Sequence, residues 1–174
     1  MKVTERPLLA HLNTFGLPAR AGLLLTLETE EDLLAAPLFD PRQDFVLGGG
    51  SNVLFVHDVP GTVFLNRLRG IDVVEENEEG VLVDVGAGET WHEVVQWSLR
   101  HGWCGIENLA LIPGLAGAAP MQNIGAYGVE LASVLDSVTA WDWTAATWVV
   151  FDGAARVTPL AAPGSSVLVS LVLP

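Results

Sequence analysis

The segment GGGSN at residues 48–52 lies between two apolar runs, DFVL and VLFV, so the chain must turn sharply there with its backbone exposed. Glycine tolerates positive φ and has no Cβ, so a ligand can come against the main chain at such a turn. Successive N–H groups in that conformation form a concave site for an anion. Ser51 and Asn52 add side-chain donors. A plain tight turn is the commoner reason for such a pattern, so GGGSN alone does not decide between the two. The run IPGLAGAAPMQNIGAYGVE at residues 112–130 says more, because its four glycines and four alanines leave the backbone nearly bare in an otherwise bulky chain. Bare backbone offers N–H donors and a flat surface for a ring system, with Gln122, Asn123 and Tyr127 as the directional groups. Close packing of a loop on a sheet explains the run equally well, and its occurrence together with GGGSN tilts the reading toward a binding site.

The common nucleotide fingerprints do not fit. No lysine follows either glycine loop, and Gly86-Ala87-Gly88 is followed by Trp91 where a dinucleotide fingerprint needs its third glycine. His11, His57, His92 and His101 are too scattered to gather on one face, so no metal site is expected. Cys104 is the single cysteine, which rules out an internal disulfide and a thiol-rich metal site. His57 and Cys104 read as a surface histidine and a small buried cysteine rather than as tethers for a cofactor.

The elements that must position these loops are mostly strands. GLLLTL at residues 22–27 reads as a short buried strand, followed by a helix over EEDLLAA with Thr29 as its N-cap and acids in its first turn. DFVL, VLFV, TVFL, IDVVEE, VLVDVG, VLDSVTAWDW, TWVVF and VLVSLVLP read as further strands. A helix opening at Thr90 is expected to carry a capping box with Glu93, an apolar face of Trp91, Val94, Val95 and Leu99, and a stop at Gly102. Trp141 and Trp143 share a strand face and are expected to pack against a domain outside the chain.

Composition narrows the partners. A chain of 174 residues, half of them apolar, can bury a sizeable core. Eight Lys plus Arg against 21 Asp plus Glu give a net charge of −13, with Lys2 the sole lysine. That balance argues against nucleic acid and anionic lipid surfaces as partners, and leaves any phosphate to be held mostly by backbone N–H groups. The uncharged stretches 108–129 and 157–174 are broken by Pro and Gly and read as buried soluble segments rather than membrane spans. The first 16 residues lack a signal-peptide core, and a cytoplasmic location is expected.

Five motifs occur in one order: NTFG at 13–16, GGGSNVLF at 48–55, VGAGETWHEVV at 85–95, GIENLALIPG at 105–114 and QNIGAYGVE at 122–130. Over nearly its whole length the chain resembles the UDP-N-acetylenolpyruvoylglucosamine reductases, also called UDP-N-acetylmuramate dehydrogenases. The resemblance implies an oxidoreductase of peptidoglycan precursor synthesis, and so of cell-wall biogenesis and cell shape, that uses bound FAD, NADPH and a UDP-sugar substrate. It implies an α+β fold of the PCMH/VAO type, with FAD-binding subdomains at residues 1–66 and 67–174 and without the C-terminal substrate-binding domain. Gly48, Gly49, Gly50, Ser51, Asn52 and Val53 then match the pyrophosphate loop. Ile112, Pro113, Gly114, Gly117, Ala118, Gln122, Asn123, Gly125, Ala126 and Tyr127 match the stretch that lines flavin and phosphates.

Two departures from the family pattern bear on catalysis. Family members continue into a domain that supplies a proton-donating serine and a glutamate, and they carry a Tyr-Arg segment before the final strand. Here VTPLAAPGSSVLVSLVLP runs through with neither a Tyr nor an Arg after Arg156. Reducing an enolpyruvyl double bond needs a proton as well as a hydride, and a cation near the carboxylate. Ser165 and Ser166 read as turn residues and Arg156 as a surface cation, so catalytic residues stay unassigned. The expected function is an FAD-binding domain incomplete for catalysis alone. The alternatives are a non-catalytic flavin- or nucleotide-binding module, half of a split enzyme needing a complementary substrate-binding chain, and a small oxidase with tethered flavin.

Overall fold

Two separate sheets divide the strands, and the computed structural model describes residues 1–78, 80–152 and 166–173. Lys2–Glu5 (β1), Ala21–Leu27 (β2), Phe45–Leu47 (β3) and Val59–Asn66 (β4) make the first, in the order β1-β2-β4-β3. β1 is antiparallel to β2, whereas β2, β4 and β3 run parallel. Parallel strands covered on both faces read as near-continuous apolar runs, and Leu24, Leu25, Leu27, Val63, Phe64 and Leu65 are all buried. Glu30–Leu34 (α1) crosses from β2 towards β3. Thr29 caps it as expected, and the cap is reciprocal: Thr29 Oγ1 accepts from the Asp32 amide at 3.3 Å while Asp32 Oδ2 accepts from the Thr29 amide at 3.3 Å.

The expected strand VLFV does not form. Residues 53–56 alternate as a strand would, with Val53 and Phe55 packed on the first core and Leu54 and Val56 exposed, but they have no ladder partner. Alternation needs a neighbouring strand before it becomes a strand.

Ile71–Asn77 (β5), Gly80–Val85 (β6), Leu135–Asp142 (β9), Thr147–Asp152 (β10) and Ser166–Leu173 (β11) form the second sheet, antiparallel throughout, in the order β10-β9-β11-β6-β5. Between β6 and β9 lie Trp91–His101 (α2), Ala119–Gln122 (α3) and a ribbon of Gly125–Ala126 (β7) with Val129–Glu130 (β8). α2 packs Trp91, Val94 and Val95 on Val81, Val83, Val85, Val138 and Ala140. The buried stripe continues through Ser98, because positions 91, 94, 95 and 98 follow the 3.6-residue period. Leu99, expected on that face, is one position off and exposed.

The helix starts and stops where expected, but without the capping box. Thr90 makes no side-chain cap; the Trp91 amide instead donates to the Gly114 carbonyl at 3.1 Å. Thr90 is bridged antiparallel to Leu115, with the Ala116 amide on the Glu89 carbonyl at 2.8 Å. Gly102 ends the helix in the left-handed conformation at φ 83°. Among the described residues no helix is long and apolar enough to cross a membrane, and no group of His, Cys, Asp or Glu could hold a metal ion. Cys104 is exposed rather than buried. Arg156 and Ser165 lie outside the described residues.

Trp141 of β9 and Trp143 just beyond it are occupied within the chain. Trp141 is buried with Leu25, Leu27 and Phe64 of the first sheet and Leu33 of α1, and Trp143 and Trp148 pack against the same cluster. Phe64 and Trp143 have ring centroids 4.8 Å apart, and Phe39 lies 5.7 Å from Trp143. This aromatic core, rather than an outside domain, receives them, and it joins the two sheets. Phe64→Ala is therefore expected to cost about 3–5 kcal/mol. It should lower the thermal midpoint in one cooperative transition followed by circular dichroism, whereas two separated transitions would mean that the sheets do not share a core.

Candidate functional site

The parallel strands of the first sheet deliver their C-terminal ends to one edge, the side on which parallel sheets present ligand sites. β3 leaves that edge as the glycine turn 48–52, and β4 leaves it as residues 67–70. NTFG supports the turn from behind. Buried Asn13 donates to the Leu9 and Leu17 carbonyls at 2.8 and 3.1 Å and accepts from the Leu17 amide at 3.0 Å. Thr14 then reaches the Gly50 carbonyl through its amide at 3.1 Å and through Oγ1 at 3.3 Å. Gly50 sits at φ 68°, where a Cβ would run into the Leu12 carbonyl.

A trans peptide sets its C=O and the following N–H on opposite sides. With the Gly50 carbonyl turned in to Thr14, the Ser51 amide turns away from it. The Gly48 carbonyl likewise faces inward, accepting from Arg67 Nη1 at 3.3 Å, so the Gly49 amide turns away from Arg67. Among the described residues, none accepts a hydrogen bond from the amides of Gly49, Gly50, Ser51 or Asn52. Gly48, Gly49, Gly50, Ser51, Asn52 and Val53 thus form a turn whose donors are left for something else.

The second bare segment meets this turn. A Cβ on Gly49 would lie 3.7 Å from Gly114 Cα, and one on Gly114, at φ 126°, would lie 3.6 Å from Ser51 Oγ. Leu115 packs below Gly48 and Gly49. From there the segment divides between two shallow depressions. Ile112, Pro113, Ala118 and Gln122 line the first, beside Trp91, Leu115 and Ile124. Asn123, Gly125, Ala126 and Tyr127 line the second. Gly117 faces neither: it is buried, its amide donates to the Ala87 carbonyl at 3.1 Å, and a Cβ there would lie 2.7 Å from Ala87 Cβ.

Backbone strain gathers on the same segment. Leu111, Asn123 and Tyr127 have φ of 64°, 42° and 53°, which side-chain-bearing residues seldom adopt. Tyr127 and Gly128 form the two-residue turn of the β7–β8 hairpin, and Tyr127 is 91% exposed. The Leu111 amide donates to His92 Nδ1 at 3.2 Å, which ties this stretch to α2 and requires that nitrogen to be unprotonated.

Sequence reasoning missed several contributors. Gly86 and Gly88 are packing positions: a Cβ on either would come within 2.6 Å of the main chain of residues 67–68. Arg67 had no signature. It is half-buried, donates also to the Asn66 carbonyl at 2.7 Å, and has its pKa pushed down by burial and then by neighbouring Arg69. Asn13 and Thr14 stood within a recognised motif, but nothing in NTFG told what they would touch.

The FAD binding domain family matches residues 24–150. The UDP-N-acetylenolpyruvoylglucosamine reductase of Paraburkholderia phymatum is 51% identical over 142 residues, which cover 79% of this chain and 40% of that protein. The chain thus spans about two fifths of the length of the curated relatives it matches. The crystal structure of the reductase from Thermus caldophilus superposes with a TM-score of 0.76 at 29% identity, covering 100% of this chain and 62% of that one. A 6-hydroxy-D-nicotine oxidase from Arthrobacter nicotinovorans shares the fold alone, with a TM-score of 0.70 at 16% identity over 99% of this chain and 42% of that one.

The glycines make separable demands. Gly50→Ala is expected to destabilise by about 1–2 kcal/mol from its left-handed backbone alone, with the collision at Leu12 added. Gly48→Ala meets only ordinary contact with Leu115 Cδ1 at 3.4 Å and should change stability by about 0.5 kcal/mol or less. Urea unfolding without ligand measures both, and equal losses would contradict this geometry.

Proposed function

Since the chain belongs to the FAD binding domain family and matches the cofactor-binding part of the UDP-N-acetylenolpyruvoylglucosamine reductases, we propose that it works as the flavin-holding module of such a reductase in peptidoglycan precursor synthesis. Its cofactor is FAD, its reductant NADPH and its substrate class an enolpyruvyl UDP-sugar. The reading rests mainly on the meeting of the two bare turns, with Gly114 against Gly49 and Ser51 Oγ, and on the unclaimed amides of residues 49–52.

The residues present fit the diphosphate of FAD. A turn without Cβ atoms lets the phosphates approach the main chain, and outward amides supply donors where lysines are absent. We assign Gly48, Gly49, Gly50, Ser51, Asn52 and Val53 to the pyrophosphate. Ile112, Pro113, Gly114, Ala118 and Gln122 are assigned to the phosphate and flavin side, and Asn123, Gly125, Ala126 and Tyr127 to the flavin rim. Gly117 takes part by letting residues 116–118 lie against Ala87. The two FAD-binding subdomains divide at residues 66 and 67, a boundary supported by the end of β4 at Asn66 and the start of β5 at Ile71. The cytoplasm, where NADPH and UDP-sugars are made, is the expected location.

When bound and reduced by hydride from NADPH, the flavin would pass that hydride to the enolpyruvyl double bond and return to its oxidised form. The chain's own part is to orient the ring and hold the phosphates. A proton must still reach the neighbouring carbon from a positioned general acid. The polar side chains facing the two depressions are Gln122, Asn123, Tyr127, Glu130 and Ser133, and neither Glu130 nor Ser133 lies on the Gly114 side that meets the glycine turn. We therefore assign that role to none of the described residues lining the two depressions.

Titrating the 174-residue polypeptide with FAD should quench flavin fluorescence and raise the melting temperature, with a gain of about 2.7 kcal/mol at a ligand concentration a hundred times Kd. The flavin should be released intact on denaturation, which separates this reading from a tethered-flavin oxidase. The polypeptide alone should not oxidise NADPH in the presence of the enolpyruvyl sugar nucleotide, and should do so once the C-terminal part of a relative is added. Absence of any FAD uptake would overturn the assignment, while uptake without rescue would favour a non-catalytic module.

A further inference from the structure

We propose that Arg67 is the positioning residue of the diphosphate turn, holding the Gly48 carbonyl inward so that the Gly49 amide faces the ligand and placing the turn's one side-chain cation beside the anion. The proposal rests on the FAD reading above. Arg67 follows β4 directly, and Arg67 Nη1 donates to two carbonyls, Asn66 at 2.7 Å and Gly48 at 3.3 Å. Both partners are neutral main-chain acceptors. Among the described residues Arg67 has no carboxylate partner. Glu28 lines the same cleft as Arg67, Arg69 and Thr26 and makes no ion pair with either arginine.

Of the Lys and Arg residues described, Arg67 is the one that is half-buried rather than exposed. A partly desolvated guanidinium with a like charge at Arg69 as neighbour is costly in the free protein, as the downward push on its pKa reflects. An anion at the turn relieves both the burial and the repulsion. Arginine suits the place better than lysine, because its planar fork can satisfy the two carbonyls and still present further N–H groups. Lysine would bring the charge without the fork.

Arg67→Lys and Arg67→Met separate the two roles. FAD affinity is measured by fluorescence quenching across a range of NaCl concentrations, with ADP and adenosine as competitors and circular dichroism as the check on folding. Arg67→Met should weaken FAD binding by about tenfold to a hundredfold. It should also flatten the salt dependence seen in the wild type and erase most of the preference for ADP over adenosine. Arg67→Lys should keep the salt dependence yet bind FAD several-fold more weakly than the wild type. A folded Arg67→Met protein that binds FAD within twofold of the wild type, with the same salt dependence, overturns the proposal. If Arg67→Met does not fold, Arg67→Lys decides: wild-type affinity, or loss of the salt dependence, overturns it. A wild type that takes up no FAD at all fails the cofactor reading first and takes this proposal with it.

Discussion

The loops that link the two sheets approach one another closely because glycines at the contacts carry no Cβ. Gly86 and Gly88 lie on residues 67–69, Gly117 on Ala87, Gly114 beside Gly49 and Ser51, and Gly50 on Leu12. Each contact brings together loops that come from distant parts of the chain. Hydrogen bonds then fix their spacing: the Gly88 amide donates to the Leu68 carbonyl at 2.7 Å, the Gly86 amide to the Gly70 carbonyl at 2.8 Å, and the Ala116 amide to the Glu89 carbonyl at 2.8 Å. The Glu89 carboxylate adds a bond from the Gly70 amide at 2.9 Å. A side chain at any of the tight positions would push the loops apart, and with them the two bare turns.

The acidic composition makes this backbone arrangement necessary rather than incidental. A phosphate approaching a chain of net charge −13 is repelled at long range, though at physiological ionic strength that repulsion is screened beyond about 8 Å. Inside that range local dipoles decide. Carbonyls at Gly48 and Gly50 are drawn inward by Arg67 and Thr14, and the amides that follow each of them are turned the other way by peptide planarity. The motif NTFG and the run after β4, far apart in sequence, therefore act on the same small turn.

Legibility in the sequence followed the range of the interaction that sets each feature. Apart from β1, which the pattern did not mark, the strands of both sheets, the Thr29 cap and the Gly102 stop depend on neighbours a few residues away, and pattern alone located them. The two bare segments were legible as unusual composition, and the family pattern gave them a cofactor. What could not be read depends on distant partners. Residues 53–56 alternate correctly but lack a ladder, Thr90 forms no capping box and its helix start is tied instead to Gly114 through the Trp91 amide, and Trp141 and Trp143 find Phe39 and Phe64 rather than an outside domain. Gly86 and Gly88 looked like a failed nucleotide fingerprint, since nothing local in the sequence says that residues 67–69 will lie on them.

A ligand held between loops from two sheets is held well only if the sheets keep their distance, and β4 links that distance to the turn. Phe64, fully buried, faces Trp143 and the rest of the aromatic core that joins the sheets. Two residues later Asn66 is buried as well, and its Oδ1 accepts from the Leu68 amide at 3.0 Å, fixing how the chain leaves the strand. Arg67 follows both anchors, with its amide on the Leu27 carbonyl at 2.8 Å and its guanidinium on Gly48. The Trp143 indole N–H has no acceptor among the described residues, a cost of about 1–3 kcal/mol that the surrounding aromatic packing must outweigh. Because a packed strand resists bending between positions 64 and 67, the position of Arg67 is set by the core behind it rather than by the loop in front. The glycine turn is thus shaped from behind, through Arg67, by apolar packing at Phe64 three residues earlier in the chain.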